Sequence, residues 1–251
     1  MGSRKKHLRN LQTTSKKSEQ QVPIYDETVT AILVDGGFYR RRAFSAFGDL
    51  TPEERANELY SYCKKHLTEN IDGIPHIHQL YRIFYYDCPP SEKVIYNPVT
   101  KQNINLKDSD MYKWSTKFFE ILKEKRKFAL RLGKLSDSQS QFVLSSKALK
   151  KLCRGDIKVE DLTEKDVTID IQQKGVDMKI GLDIASLAYK QQVNQIVLIS
   201  GDSDFVPAAK LARREGIDFI LDPLFANVKP ELSEHIDGLR SCDNKFKFDQ
   251  K

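Results

Sequence analysis

Two aspartates that follow a short apolar run form the candidate chemical centre of the chain. Residues 196–200 are almost wholly apolar, and they lead through Gly201 to Asp202 and Asp204. Helix capping or turn formation accounts for one of these carboxylates but not for both. Because neighbouring carboxylates repel each other unless a cation lies between them, the pair predicts a cation site.

Two further aspartates occupy comparable positions. Asp35 follows the apolar residues 29–34 and precedes two glycines that allow the backbone to turn closely. Asp177 stands at the start of the helical pattern of residues 178–190. The helix dipole favours a carboxylate there, so a purely structural role is the alternative interpretation of Asp177.

Asp183 and Ser200 are expected to support the acidic site rather than to bind its cation. Asp183 lies about 120° around the helix from Asp177, because each residue turns the helix by about 100°. Lys179, four residues earlier, is its possible ion-pair partner. Asp87 ends another apolar run and is expected at the rim of the site.

Buried strands and amphipathic helices alternate along the chain, which predicts an α/β fold with a mainly parallel sheet. The predicted strands are residues 29–34, 80–86, 128–135, 167–171 and 196–200. The predicted helices are residues 51–68, 110–125, 178–190 and 205–216. In open α/β sheets ligands bind at the carboxyl ends of the strands, where Asp35, Asp202 and Asp204 fall.

The chain is expected to form one domain over residues 22–251, because 251 residues suit one large α/β unit. Residues 1–21 are polar and basic and are predicted to be a disordered tail. Residues 91–165 exceed an ordinary connection and are predicted to be an insertion with its own elements. The four cysteines lack ligand spacing, which indicates neither a zinc site nor disulfides. No apolar run is long enough for a membrane span, so we expect a cytoplasmic protein without a membrane partner; the oligomeric state stays open.

The net charge of +6 is unevenly distributed. Residues 1–21 carry a net +5 and residues 107–165 a net +6, which leaves −5 for the remainder. Basic segments around an acidic centre indicate a polyanion held beside a cation site, and a solvated lysine-rich surface is an equally good alternative. The candidate contacts to RNA are Arg40, Arg41, Arg42, Lys123, Lys125, Arg126, Lys127 and Lys174.

Three motifs resemble the NYN domain, the LabA-like group of the PIN-like nucleases. They are VDGG at 34–37, KGVDMKIGLDIASLAY at 174–189 and LISGDSDFVPAAKLARREG at 198–216. The resemblance implies a three-layer α/β/α sandwich and an acidic metal site that cleaves RNA. It assigns the ligand and catalytic positions to Asp35, Asp177, Asp202 and Asp204, and it matches Asp183 to the second acid of the helix motif. Many family members have Asn where this chain has Phe38.

A ligand set of carboxylates without His or Cys selects a hard cation, Mg²⁺ or Mn²⁺. Such an ion binds substrate phosphate and lowers the pKa of a coordinated water. The expected function is therefore a metal-dependent ribonuclease, an endoribonuclease by the resemblance, that acts on single-stranded RNA. Lys174 could help to neutralise the charge of the transition state.

Three alternatives stay open at this point. The chain could be an RNA-binding or regulatory module that keeps the fold without catalysis. It could cleave DNA, because no residue reports contact with the ribose hydroxyl that distinguishes RNA. A phosphatase of the haloacid dehalogenase type is disfavoured, because its general acid would stand at Gly37.

Overall fold

A computed structural model describes residues 22–247, apart from the side chains of residues 137–139 and 172. The predicted disordered tail, residues 1–21, lies outside the described residues. The strands are β1 (Ile24–Asp35), β2 (Thr68–Ile71), β3 (Ile74–Asp87), β4 (Val94–Asn97), β5 (Gln102–Asn105), β6 (Phe128–Leu132), β7 (Lys134–Leu144), β8 (Val167–Lys174), β9 (Gln195–Ile199), β10 (Asp218–Asp222) and β11 (Gly238–Leu239). The helices are α1 (Gly36–Phe47), α2 (Pro52–Lys65), α3 (Asp110–Glu124), α4 (Ser146–Arg154), α5 (Val176–Tyr189), α6 (Val206–Arg214) and α7 (Pro230–Ser233).

The central sheet is mainly parallel, as the sequence predicts. Its strand order is β11-β10-β9-β1-β3-β2, and β6 also pairs with β3. β2 runs antiparallel to the first part of β3, while β6 runs parallel to the last part of the same strand. β1 therefore lies in the middle of the sheet, between β3 and β9.

Helices cover both faces of the sheet and complete a three-layer sandwich. Successive side chains of a strand point to opposite faces. Ala31 and Leu33 of β1 pack towards α5 and α6, whereas Ile32 and Val34 pack towards α1, α2 and α3. All four side chains are fully buried. This two-sided burial explains why β1 and β9 read as continuous apolar runs rather than as alternating patterns.

Residues 91–165 contribute to two parts of the structure. α3 and β6 belong to the central layers, because Phe118 and Leu122 of α3 lie in the core and β6 pairs with β3. β7 pairs with β8 in a separate two-stranded antiparallel sheet, and α4 joins the two strands. Together β7, α4 and β8 form an arm over residues 134–174.

The predicted single strand over residues 128–135 is wrong at its carboxyl end. β6 stops at Leu132 and β7 begins at Lys134, with Gly133 between them. A Cβ at Gly133 would lie 2.7 Å from the Lys174 carbonyl oxygen, so the chain passes too close to β8 for any side chain. Periodicity alone could not reveal this approach, because β8 is distant in sequence.

A buried polar cluster lies at the carboxyl end of β10, beside the end of β9. The Asp222 carboxylate accepts hydrogen bonds from Tyr62 at 2.5 Å, Ser241 at 2.5 Å and the His66 ring at 2.9 Å. Cys242 Sγ lies 3.4 Å from the other ring nitrogen of His66, in the order of a nucleophilic triad. Burial raises the pKa of the Cys242 thiol to about 11, which disfavours the thiolate that a nucleophile needs at neutral pH.

The four cysteines are free thiols, in agreement with their scattered spacing. No helix within residues 22–247 is both long enough and apolar enough to cross a membrane.

Candidate active site at the carboxyl edge of the sheet

Asp35 is the last residue of β1 and caps the helix that follows. Its Oδ1 accepts a hydrogen bond from the Phe38 N–H at 3.0 Å. The turn is tight because Gly36 packs on β3, where an added Cβ would lie 2.5 Å from Tyr85 Cζ and 2.6 Å from the Tyr86 carbonyl oxygen. Only glycine fits there, and Asp35 is thereby held at the edge of the sheet.

Ser200 connects the ends of two neighbouring strands. Its Oγ donates to Asp35 Oδ2 at 3.2 Å and accepts from the Asp202 N–H at 3.3 Å. Ser200 is fully buried, so this hydroxyl stands in a fixed position between the two acids. Ser200, which the sequence analysis expects to support the site, thus lies between Asp35 and the Asp202 backbone.

Asp202 and Asp204 lie in the turn between β9 and α6. Asp202 Oδ1 accepts a hydrogen bond from the Asp204 N–H at 3.0 Å and caps the short 3₁₀ turn Ser203–Phe205. Both residues are exposed. Capping thus accounts for Asp202, as the alternative interpretation held, and it leaves Asp204 to be explained.

Asp177 reaches the same edge from the first turn of α5. Asp177 and Asp204 line one cleft between α5 and α6. The four predicted acids are therefore neighbours. Ser200 connects Asp35 with Asp202, and Asp202 accepts a hydrogen bond from Asp204. Asp204 and Asp177 line the same cleft.

The electrostatics of the site agree with this convergence. Burial raises the pKa of Asp177, and the charges of Asp35, Asp202 and Asp204 raise it further. Burial also raises the pKa of Asp35, while the Phe38 N–H, the Ser200 hydroxyl and the Arg41 charge oppose the change. Ionised together, the acids repel each other, and a bound cation would relieve that repulsion.

The donor set fits a hard divalent cation, because all its atoms are carboxylate oxygens. Within residues 22–247, no three His, Cys, Asp or Glu side chains are arranged as a ready-made metal cage. Mg²⁺ is usually held by one or two carboxylates, waters and substrate phosphates rather than by such a cage.

Asp183 and Asp87 have partners within the fold. Asp183 accepts hydrogen bonds from Tyr86 at 2.8 Å and from Arg131 at 3.0 Å, so the predicted pairing with Lys179 is wrong. The helical spacing could not foresee partners from β3 and β6. These contacts fasten α5, and hence Asp177, to the sheet.

Asp87 is almost completely buried at the end of β3. It forms a salt bridge with Arg40 at 3.0 Å and accepts a hydrogen bond from Tyr85 at 3.2 Å. Burial is the main cause that raises the pKa of this carboxyl group, against the opposing charge of Arg40. Asp87 therefore lies next to the site as one half of a structural ion pair with Arg40.

The three consecutive arginines of α1 have different surroundings. Arg40 is held by Asp87, and Arg42 donates to the carbonyl oxygens of Leu224 and Phe246. Arg41 is exposed beside Asp35. A Cβ placed on Gly37 would lie 3.5 Å from Asp35 Oδ1 and 3.8 Å from Arg41 Nη1, which shows that the two side chains flank the same point.

Lys127, one of the predicted basic residues, lies near the opposite edge of the sheet. Lys127 Nζ donates to the Leu80 carbonyl oxygen, and Leu80 pairs with Thr30 of β1. Thr30 precedes Asp35 by five residues, which is about 16 Å along a strand. Lys127 is thus separated from the acids by the length of the strands, and Lys123, Lys125 and Arg126, which form the basic quartet with Lys127, lie within four residues of it in sequence. Lys174, in contrast, is exposed at the end of β8, three residues before Asp177.

Comparison with known proteins identifies a family that matches this chain. A family model described as the NYN domain matches residues 103–236, more than half of the chain. The chain belongs to the NYN domain family. This NYN domain therefore has the PIN-like fold of a nuclease-related family.

One solved structure is similar to the NYN domain over most of its length. It is the crystal structure of a protein of unknown function from Vibrio parahaemolyticus RIMD 2210633, with a TM-score of 0.45 and 15% sequence identity. The alignment covers 88% of this chain and 96% of that chain. No protein among the curated sequences matches the chain.

Sequence reasoning missed two features of the NYN site. It did not show that Arg41 is exposed whereas Arg40 and Arg42 are held within the fold, because the partners of Arg40 and Arg42 come from β3 and from residues 224–246. It also missed the cleft between α5 and α6, although the small residues Gly181 and Ala208 on facing helices were a readable signal.

Proposed function

We propose that this NYN domain is a metal-dependent endoribonuclease that hydrolyses RNA phosphodiester bonds at Asp35, Asp177, Asp202 and Asp204. The observation that carries the proposal is the Ser200 hydroxyl, which binds Asp35 and the Asp202 backbone at once. It joins two candidate ligands from separate strands at the edge where α/β folds bind ligands.

The side chains divide into fixed and adjustable groups. Asp35 and Ser200 are held by hydrogen bonds, whereas Asp177, Asp202 and Asp204 are exposed and can adjust their carboxylates. A bound Mg²⁺ or Mn²⁺ would supply a water of lowered pKa and neutralise phosphate charge. Arg41, exposed beside Asp35, is placed to hold a non-bridging phosphate oxygen.

The substrate class follows from charge. The acidic site requires a cation before a polyanion can approach, and the basic surfaces lie elsewhere on the chain. Lys174 and Arg41 would contact phosphates near the site, while the basic quartet would contact a distant part of the strand. The RNA is therefore proposed to extend from the carboxyl edge of the sheet towards its amino edge.

The decisive experiment is a cleavage assay on labelled RNA and DNA in Mn²⁺, in Mg²⁺ and in EDTA. We expect cleavage of RNA that requires the metal and is lost in Asp202→Asn, a change that keeps shape and removes charge. Asp72→Asn is the matched control, because it removes one charge from the exposed β2–β3 turn, where Asn is favoured.

Three outcomes would contradict the proposal in different ways. RNA cleavage by Asp202→Asn at the wild-type rate would show that Asp202 is not a ligand. Cleavage of DNA in preference to RNA would make the enzyme a DNA nuclease. RNA binding without cleavage in either metal would leave a binding module.

A further inference from the structure

A groove of about 460 Å³, referred to below as the cleft, lies along the packed helices α5 and α6 and reaches the acidic site. Asp177 and Asp204 stand at its mouth, one on each side. Its volume falls within the range of sites that bind small ligands. Whatever occupies it lies next to the proposed metal ligands.

The walls of the cleft are apolar and are built from small or flexible residues. Met178 and Gly181 contribute from α5, and Pro207, Ala208 and Leu211 contribute from α6. Met178 is 70% exposed, so an apolar surface faces water at this place. Apart from the two aspartates, the lining side chains carry no hydrogen-bonding group.

We propose that the α5–α6 cleft holds the unstacked base of the nucleotide next to the scissile phosphate. This inference rests on the proposed nuclease function, because it takes the acidic edge as the place of the phosphate. A base has apolar faces that can pack on aliphatic walls, and its sugar would reach the carboxylates at the mouth.

Two properties of the substrate follow from the chemistry of the walls. A base has to leave its stack to enter the cleft, so paired strands are excluded at this position. Side chains without donors or acceptors cannot read the edge of a base, so the cleft accepts any base. The cleft thus selects unpaired nucleic acid and tolerates sequence.

Gly181 offers a direct test. A Cβ added there meets no atom within 4 Å, so a larger side chain enters the cleft without a clash. Leucine is also a better helix former than glycine, and Gly181→Leu should fold. Gly181→Ala fills the cleft less. Tyr189→Ser is the control, because it changes an exposed residue of the same helix outside the cleft.

The experiment combines these variants with oligouridine substrates that carry one abasic residue at successive positions. Binding is measured by fluorescence anisotropy in Ca²⁺, and cleavage is measured in Mn²⁺. We expect one abasic position beside the cut bond to weaken wild-type binding about tenfold, the scale of a lost base contact. Gly181→Leu should bind the intact strand as weakly as the wild type binds the abasic strand, and its affinity should not change with the abasic position. The affinity of Gly181→Ala for the intact strand should lie between those of the wild type and Gly181→Leu.

The outcomes separate the two proposals. Equal binding of intact and abasic strands by the wild type, or unchanged affinity of Gly181→Leu, overturns the base subsite even if cleavage is normal. Absence of cleavage by the wild type overturns the nuclease function, while the binding series still decides the subsite. A wild-type dimer that Gly181→Leu converts to a monomer, with RNA affinity unchanged, would make the cleft a protein interface instead.

Discussion

Ser200 Oγ donates a hydrogen bond to Asp35 Oδ2 at 3.2 Å and joins two strand ends that are 165 positions apart in sequence. The same hydroxyl accepts the Asp202 N–H. Removal of this one oxygen therefore frees Asp35 Oδ2 and the Asp202 N–H, while the backbone of β1 and β9 stays paired.

Ser200→Ala should lower the cleavage rate about 10- to 100-fold, the usual effect of removing a partner that orients a metal ligand. The fold should lose about 1–3 kcal/mol, because two hydrogen bonds of a buried hydroxyl are removed. Single-turnover cleavage and urea unfolding measure the two effects. Ser45→Ala, an exposed serine on α1, is the control. An unchanged rate in Ser200→Ala would mean that the hydroxyl does not position Asp35.

Asp177→Asn should stabilise the metal-free protein at neutral pH. The pKa of Asp177 is raised by burial and by three neighbouring acids, so the fold favours its protonated form. A group of this kind loses its stabilising contribution as the pH rises from the unfolded-state pKa through the raised pKa. The Tm of the variant in EDTA should thus exceed that of the wild type at pH 7 and match it below about pH 4.

Added metal should reverse the order of the two Tm values. Mn²⁺ would offset the repulsion among the wild-type carboxylates, so its addition should raise the wild-type Tm more than the Tm of Asp177→Asn. Equal shifts in the two proteins would argue against Asp177 as a ligand.

Arg41→Gln and Arg42→Gln should have opposite effects, although the residues are adjacent. Arg41 is exposed beside Asp35, so its loss should weaken cleavage at low RNA concentration and leave the Tm unchanged. Arg42 donates to backbone carbonyls of Leu224 and Phe246, so its loss should lower stability by about 1–3 kcal/mol. Steady-state kinetics and denaturant titrations would show the contrast. Reduced stability of Arg41→Gln would assign it a structural role.

Neutralising the basic quartet together should weaken RNA binding but leave the cleavage rate at saturating RNA unchanged, because Lys127 contacts Leu80, which pairs with Thr30 about 16 Å along β1 from Asp35. Each lost phosphate contact should reduce the slope of log affinity against log salt by about 0.7 for a single strand. Salt titrations by anisotropy in Ca²⁺ give this slope for RNAs of unrelated sequence. If slope and affinity stay at wild-type values, the quartet is a solvated surface.

The elements that position the site could be predicted because their signals are local. Thr51 and Glu54 form the reciprocal cap of α2, and Asp35, Asp177, Asp202 and Asp204 stand at element ends that periodicity marks. Their mutual placement follows from one rule of parallel sheets, that carboxyl ends share an edge.

The features that escaped prediction depend on contacts between distant segments. Gly133 interrupts the expected strand because Lys174 passes beside it, and Asp183 pairs with Arg131 rather than with its helical neighbour Lys179. A single sequence states which residues are charged or small, but it does not state which remote backbone they will meet.

The central place of β1 in the sheet has a consequence for the folding of the nascent chain. β1 precedes its partner β9 by some 160 residues, and Phe246, buried against Tyr39 and Tyr62, follows later still. Pairings of such long sequence separation form slowly. β1 therefore cannot pair with β9 until some 160 further residues have been synthesised, and its unpaired edge is prone to aggregation until then.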